Sequence, residues 1–87
     1  MAHFAVKYQL NNQKNYQPRW DDLAEMGGHK ATRSLYLLDY SGTARQLSNR
    51  LTPFLDNGDM LFVAPLESAP VSHKCYQGTA AWISARF

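Results

Sequence analysis

The sequence predicts a two-layer α+β fold in which helices pack on a β-sheet. Apolar residues alternate with polar ones over residues 4–10, which is typical of a half-buried strand. Two later stretches, beginning near Asn15 and Thr43, carry apolar residues at helical spacing. An apolar run at Met60–Leu66 has the length of a strand. With a further strand in the middle of the chain, the helices and strands alternate along the sequence.

The first predicted strand covers residues 4–10 and ends in amides. Phe4 and every second residue after it face one side of the sheet, and Ala5, Lys7 and Gln9 line the other side. Many small α/β enzymes carry a carboxylate where such a strand stops. Here the strand closes with Gln9 and a leucine and is followed by two asparagines and a glutamine. The corner at which a catalytic acid would be expected is therefore neutral.

The first predicted helix ends at Gly27 and Gly28. The Asn15 side chain can accept hydrogen bonds from the first backbone N–H groups of this helix. Pro18 lies in the first turn, where the missing N–H of proline does no harm. The two glycines end a helix and lack the lysine and serine of a phosphate-binding loop, so they predict no nucleotide site. The buried stripe of this helix consists of Tyr16, Trp20, Leu23, Ala24 and Gly27.

The middle of the chain predicts a strand over residues 34–40, preceded at residues 29–33 by a short strand or a lead-in. Thr43 and Gln46 match the capping box of a second helix. Pro53 falls inside the apolar pattern of that helix, so its last turn should be irregular. The apolar stripe consists of Ala44, Leu47, Leu51, Phe54 and Leu55.

The run Met60–Leu66 has apolar residues at both odd and even positions, which indicates a strand covered on both faces. Pro65 suits an edge strand or the end of a strand better than a central strand. One face can lie under the helices, and a second subunit is an economical cover for the other. Residues 68–78 are predicted to form a loop, with room for a short strand at 71–76. Thr79 is expected to cap a last helix over residues 80–86, with Trp82, Ile83 and Phe87 as docking groups.

This order fits the ferredoxin-like βαββαβ arrangement with an antiparallel sheet and a short C-terminal helical tail. We expect a single domain over residues 1–87. Residues 1–67 would form its core, and residues 68–87 a loop and tail that packs on its own domain or is swapped onto a partner. The arrangement leaves one sheet face bare of helices, lined by Ala5, Lys7 and Gln9.

Size and composition favour self-association. A chain of 87 residues buries only a little over half of the surface that its unfolded form exposes. The single cysteine, Cys75, allows no intrachain disulfide. Aromatic residues make up 13% of the chain, which is more than one small core needs. We therefore expect a homodimer.

The sequence predicts a cytoplasmic protein without a membrane partner. We expect no signal peptide, because no basic segment followed by a long apolar run opens the chain. No apolar stretch approaches the length of a membrane span. A single thiol is compatible with a reducing compartment. The formal net charge of +2 permits a local basic patch but does not by itself indicate nucleic-acid binding.

Several strings resemble a known family. "FAVKYQL", Gly27-Gly28, "SLYLLD" and "TARQLSNRLTPFLDNGDMLFVAPL" resemble the small CRISPR-associated nuclease of the spacer-adaptation complex. They resemble more closely its SinR-type and VapD-type relatives, which occur apart from CRISPR arrays. The closing "GTAAWISARF" is similar to the tail of the SinR-type proteins. The resemblance covers nearly the whole chain.

The resemblance implies a ferredoxin-like domain that dimerises through its sheet face and acts on or binds DNA or RNA, in antiviral defence or mobile-element biology. In the nuclease members the first strand ends in Tyr-Asp, and the aspartates of two subunits hold a metal ion. Tyr8 matches the tyrosine, whereas Gln9 occupies the aspartate's place. An amide is a poor ligand for Mg²⁺. We therefore expect a catalytically degenerate binding or scaffolding module without a cofactor.

The basic residues are the candidate contacts to phosphate. Doubled in a dimer, they could form the positively charged stripe that nucleic-acid binding needs. The alternative is an ordinary solvated surface with acids interspersed. The candidate nucleic-acid-binding residues are Lys7, Lys14, Arg19, Arg33, Arg45 and Arg50.

Two other functions remain open. A true nuclease dependent on Mg²⁺ or Mn²⁺ could use a relocated carboxylate, for which Asp39 and Asp59 are candidates near strand ends. A protein-interaction module without a nucleic-acid role could dock its apolar tail on a partner. His73 and Cys75 are a weak metal or nucleophile pair, because no further ligands or orienting acid accompany them.

Overall fold

The computed structural model describes residues 2–9, 26–55 and 58–87. Its strands are β1 (Ala2–Gln9), β2 (His29–Thr32), β3 (Leu35–Tyr40) and β4 (Met60–Leu66). Its helices are α1 (Ala44–Leu51), which continues into a 3₁₀ turn at Thr52–Phe54, and α2 (Thr79–Arg86). Most of the predicted first helix lies outside the described residues, and Gly27, predicted at its end, lies in a turn.

The four strands form one antiparallel sheet in the order β2-β3-β1-β4. β1 lies inside the sheet and pairs with β3 on one side and β4 on the other. Because β3 and β4 are both antiparallel to β1, they run parallel to each other, and α1 lies between them in the chain. The prediction of an α+β protein with an antiparallel sheet and a C-terminal helix is confirmed.

The larger core lies between one face of the sheet and α1. Phe4 and Val6 of β1 and Leu38 of β3 are fully buried there. Leu47 and Leu51, one turn apart on α1, pack against them. This face is the one that the alternation in the first strand predicts.

The ends of α1 follow from local sequence. The Thr43 hydroxyl accepts a hydrogen bond from the Gln46 N–H at 3.1 Å, and the Gln46 amide oxygen accepts one from the Thr43 N–H at 2.8 Å. This is the predicted capping box. Pro53 lies in the 3₁₀ turn that follows α1, so the predicted irregular last turn is also confirmed.

The second face of the sheet is not bare, contrary to the prediction. α2 packs across part of it through Trp82, which lies against Ala31 of β2 and Leu37 of β3. The Trp82 indole N–H donates to the carbonyl oxygen of Gly27 at 2.9 Å. The apolar tail thus docks on its own sheet. At this position the Trp82 indole is buried and its N–H, the one hydrogen-bond donor of the side chain, has a partner.

The start of α2 differs from the prediction. Gly78, with φ of +96°, is the N-cap, and Thr79 is the first helical residue. The buried Thr79 hydroxyl donates to the Tyr76 carbonyl oxygen at 2.7 Å and accepts from His29 Nε2 at 2.7 Å. Residues 67–78 form a loop, and the short strand considered at 71–76 does not form.

Among the described residues, one face of β4 is covered along its length and the other is covered only near Leu66. Leu61 and Val63 pack against the core under α1. Met60 and Phe62 on the opposite face are 59% and 68% exposed. That a second subunit covers these exposed side chains stays a prediction. Pro65 lies in an edge strand, as predicted.

Candidate nucleic-acid interface

Two cross-strand pairs form an uncovered area on the second face of the sheet. In the β1–β4 register, Lys7 lies opposite Phe62 and Gln9 lies opposite Met60. Directly opposite residues of an antiparallel pair share one face, with their Cβ atoms about 5 Å apart. All four side chains are exposed. We call Lys7, Gln9, Met60 and Phe62 the open patch.

α2 covers the part of the second face that lies next to the open patch but does not extend over the patch itself. Ala5 and Leu66, further along β1 and β4, pack against the cluster around Trp82 and Ile83. The patch therefore combines a cation, an amide, a thioether and a phenyl ring, and it borders the apolar residues that α2 covers. Such a set can attract an anion, donate and accept hydrogen bonds, and present a flat apolar surface.

The turn between β2 and β3 is tied to the end of β1 next to the patch. The Lys7 ammonium donates to the Ser34 hydroxyl. The Tyr8 N–H donates to the Ser34 carbonyl oxygen at 3.1 Å, and the Tyr8 hydroxyl donates to the Arg33 carbonyl oxygen at 3.0 Å. These bonds place the exposed Arg33 at the same end of the sheet as Lys7.

Tyr8, the family tyrosine in the resemblance, lies on the opposite face from the patch. Its side chain is buried, with its ring 6.3 Å from that of Tyr36. Burial, together with the neighbouring phenols of Tyr36 and Tyr76, raises the pKa of Tyr8 to about 12. The phenol therefore stays protonated at neutral pH and acts as a hydrogen-bond donor within the fold, whereas Gln9 faces solvent.

The structure brings together only some of the predicted basic residues. Lys7 lies on the second face, and Arg33 lies in the adjacent turn. Arg45 and Arg50 are exposed on α1, which covers the first face. Lys14 and Arg19 lie outside the described residues. The described basic residues are thus divided between two sides of the sheet, and Lys7 is the one that lies within the open patch.

Asp39, one of the two candidate relocated acids, is held by two basic side chains. Arg86 Nε of α2 donates to both carboxylate oxygens, at 2.9 and 3.0 Å, and His3 Nδ1 donates to Oδ1 at 2.7 Å. The Arg86 guanidinium also stacks over Trp82, with its carbon 4.1 Å from the ring centroid. This carboxylate joins α2 to the sheet and has little capacity left to coordinate a cation.

The residues around Asp39 lower the pKa of its carboxyl group and leave little room beside it. Burial alone would raise its pKa, but hydrogen bonds from Arg86 and His3, together with their positive charge, outweigh burial and lower the pKa below its usual value. Gly27, with φ of +70°, passes so close that a Cβ there would lie 2.8 Å from Oδ2 of Asp39. A side chain at position 27 would therefore push against this ion pair.

We expect Asp39 to stabilise the fold at neutral pH and to lose this contribution in acid. Because its pKa is lower in the folded state, the added stability is complete above the unfolded pKa of about 3.9 and disappears as the pH falls through the folded-state pKa. Urea unfolding should show wild type to be more stable than Asp39→Asn by about 1–3 kcal/mol at neutral pH. The difference should shrink towards acid pH.

Glu67→Gln is the matched control, because Glu67 is exposed in the loop after β4. Its unfolding free energy at neutral pH should lie within about 0.5 kcal/mol of that of wild type. A difference between wild type and Asp39→Asn that stayed constant from neutral to acid pH would show that the charge of Asp39 does not hold α2.

The other candidate reactive residues do not converge. Asp59 is half-buried and interacts with a neighbouring group. His73 and Cys75 lie in the loop 67–78, and Lys74 between them has φ of +56°, so the strand geometry that would align them is absent. Among residues 2–9, 26–55 and 58–87, no three His, Cys, Asp or Glu side chains gather as metal ligands.

Sequence reasoning missed two features of this region. It did not foresee the link between Asp39 and Arg86, because they are 47 residues apart and neither lies in a recognisable motif. It also did not foresee the exposure of Phe62, since an apolar run looks the same whether or not its second face is covered. The exposed positions of Lys7 and Gln9, by contrast, follow from the alternation in β1.

The fold and this region define a class: a small α+β protein with a four-stranded antiparallel sheet, a helix on each face and a mixed basic and apolar patch. No protein-family model and no solved structure matches the chain. Within the described ranges, neither helix is long and apolar enough to cross a lipid bilayer.

Proposed function

We propose that the protein is a non-catalytic nucleic-acid-binding module that acts as a cytoplasmic homodimer and resembles the SinR-type and VapD-type relatives of the CRISPR-adaptation nuclease. The observation that carries this proposal is the composition of the open patch. Lys7 is exposed beside an exposed phenyl ring, and a neutral amide, Gln9, stands at the family's aspartate position. The patch can hold a phosphate backbone but offers no carboxylate to a metal ion.

We also propose that the fold is ferredoxin-like. The strand order β2-β3-β1-β4 supports this, since the two inner strands are then the first and third of the chain. The parallel relation of β3 and β4 across α1 supports it as well. The first helix of the βαββαβ arrangement stays a prediction from the sequence.

The state of Asp39 argues against the nuclease alternative. Metal-assisted hydrolysis needs ligands that converge on one point with free lone pairs. Asp39 instead accepts hydrogen bonds from Arg86 and His3 and serves to dock α2. Binding without cleavage is therefore the function that the described residues support best.

A homodimer is part of the proposal, and the open edge of β4 is its favoured interface. Within the described part of the chain, no strand pairs with the outer side of β4. Two copies packed face to face would bury Lys7 against a patch of the same composition, which contains no carboxylate to pair with it. Edge-to-edge pairing satisfies backbone groups and leaves the sheet face open. Pro65, which lacks an N–H, would confine this pairing to the first part of β4.

The test is fluorescence anisotropy with labelled DNA and RNA at several salt concentrations, combined with a cleavage assay containing Mg²⁺ or Mn²⁺. We expect binding at low salt that weakens steeply as salt rises. Lys7→Gln should weaken binding and reduce the salt slope by about 1. No strand scission should accompany binding.

Glu67→Gln serves as a control, because it changes an exposed charge outside the patch. Absence of binding even at low salt would overturn the proposal and favour a protein-interaction module. Metal-dependent cleavage abolished by Asp39→Asn or Asp59→Asn would establish the nuclease instead. Sedimentation at micromolar concentration tests the dimer, and a stable monomer would contradict it.

A further inference from the structure

We propose that the open patch binds single-stranded nucleic acid, with an unpaired base stacked on Phe62 and the adjoining phosphate held by Lys7. This inference rests on the proposed function and narrows it to one substrate class. It requires a free aromatic face, a cation within reach of that face, and a site that a paired base cannot enter.

The free aromatic face is the ring of Phe62. It is 68% exposed although it lies in the middle of a strand, and no ring contact links it to another described residue. Burying such a ring against a base face is favourable for any base, since every base presents a π-surface. Met60 lies two residues away on the same face and is 59% exposed, so it extends the apolar surface.

The cation is Lys7, which lies directly opposite Phe62 on β1. Its ammonium donates to the Ser34 hydroxyl, a neutral partner that leaves its charge unbalanced, and no ion pair joins it to another residue of the described ranges. Gln9 lies opposite Met60 and can both donate to and accept from a base edge. Exposed Arg33 in the adjacent turn adds a second positive charge at this end of the sheet.

The form of the patch favours single strands over duplex. Bases of a duplex are stacked on one another and lie inside the phosphate backbones, so a ring on a flat sheet cannot stack on them without unpairing. Charge complementarity also selects nucleic acid over a second copy of this chain. The patch carries a lysine and no carboxylate, and a second copy would present the same charge.

The experiment compares the affinities of Phe62→Ala and wild type for two fluorescein-labelled probes with equal numbers of phosphates, an oligothymidylate and a blunt DNA duplex. We expect the substitution to weaken binding of the oligothymidylate about 5- to 150-fold, the effect of losing one base–aromatic stack. Binding of the duplex should be unchanged. Lys7→Gln should weaken binding of both probes, because each presents phosphates.

Tyr76→Ala is the matched control. Tyr76 is a second exposed aromatic residue. Its backbone N–H donates to the Ala31 carbonyl oxygen of β2, which lies at the opposite edge of the sheet from β4. Its removal should leave the affinity for the oligothymidylate unchanged. Circular dichroism of each variant establishes that the fold is retained.

The outcomes separate this inference from the proposed function. Equal affinity of wild type and Phe62→Ala for the oligothymidylate would overturn stacking on Phe62, while binding of either probe would leave the proposed function standing. Absence of binding to both probes would overturn both proposals. Conversion of a dimer to a monomer by Phe62→Ala, without a change in affinity, would show that a second copy covers the patch and would also overturn the inference.

Discussion

Trp82→Ala is expected to destabilise the protein by about 3–5 kcal/mol, the usual cost of truncating a buried tryptophan. Trp82 is only 7% exposed and is the largest side chain of the core on the second sheet face, where it covers Ala31 and Leu37. Its loss would also remove the hydrogen bond to Gly27 and the surface on which Arg86 stacks. Urea unfolding monitored by circular dichroism measures the change in the free energy of unfolding.

Trp82→Phe separates packing from hydrogen bonding. A phenyl ring keeps much of the buried area but leaves the Gly27 carbonyl oxygen without its donor, so we expect a loss of about 1–3 kcal/mol. Equal stability of wild type and Trp82→Ala would mean that α2 does not dock on its own sheet. The folded state would then have to be held together without the second core.

Phe4→Ala is the second substitution with a large expected effect, again about 3–5 kcal/mol. Phe4 is 1% exposed in the centre of the sheet, and its ring lies edge-on to that of Tyr40 with centroids 6.3 Å apart. Truncation would leave a cavity between β1 and α1 that the surrounding residues can only partly fill. Urea unfolding again provides the measurement.

Phe62→Ala is the matched control for Phe4→Ala, because it removes the same atoms from the neighbouring strand at a position that is 68% exposed. We expect its effect on stability to stay within about 0.5 kcal/mol. This comparison also shows whether changes in binding by Phe62→Ala reflect the surface or the fold. A similar loss of stability in the two variants would contradict the different burial of the two rings.

The ion pair of Asp39 with Arg86 affects both the stability of the fold and the position of α2 on the second sheet face. The ion pair that anchors α2 keeps that helix over β2 and β3, and so leaves the open patch at the other end of the face uncovered. Weakening this anchor would free the tail and expose additional apolar surface next to Phe62. The fold and the proposed binding surface therefore depend on the same contacts.

Two residues of the open patch could be predicted from the sequence, but the complete patch could not. Alternation in β1 places Lys7 and Gln9 on the face away from the main core, since successive side chains of a strand point to opposite sides. The absence of an acid at position 9 is visible in the sequence itself. What completes the patch is Phe62, and its position depends on the pairing of β4 with β1.

The amino-acid sequence was enough to predict four local features: the alternation of β1, the capping box at Thr43, the irregular turn at Pro53 and the helical tail. Each depends on residues within a few positions of one another. The packing of α2 over part of the second sheet face and the contacts of Asp39 with Arg86 and His3 appear only in the folded chain. These contacts join segments that are distant in the chain, and their free energy comes from burial and charge pairing that local sequence patterns do not encode.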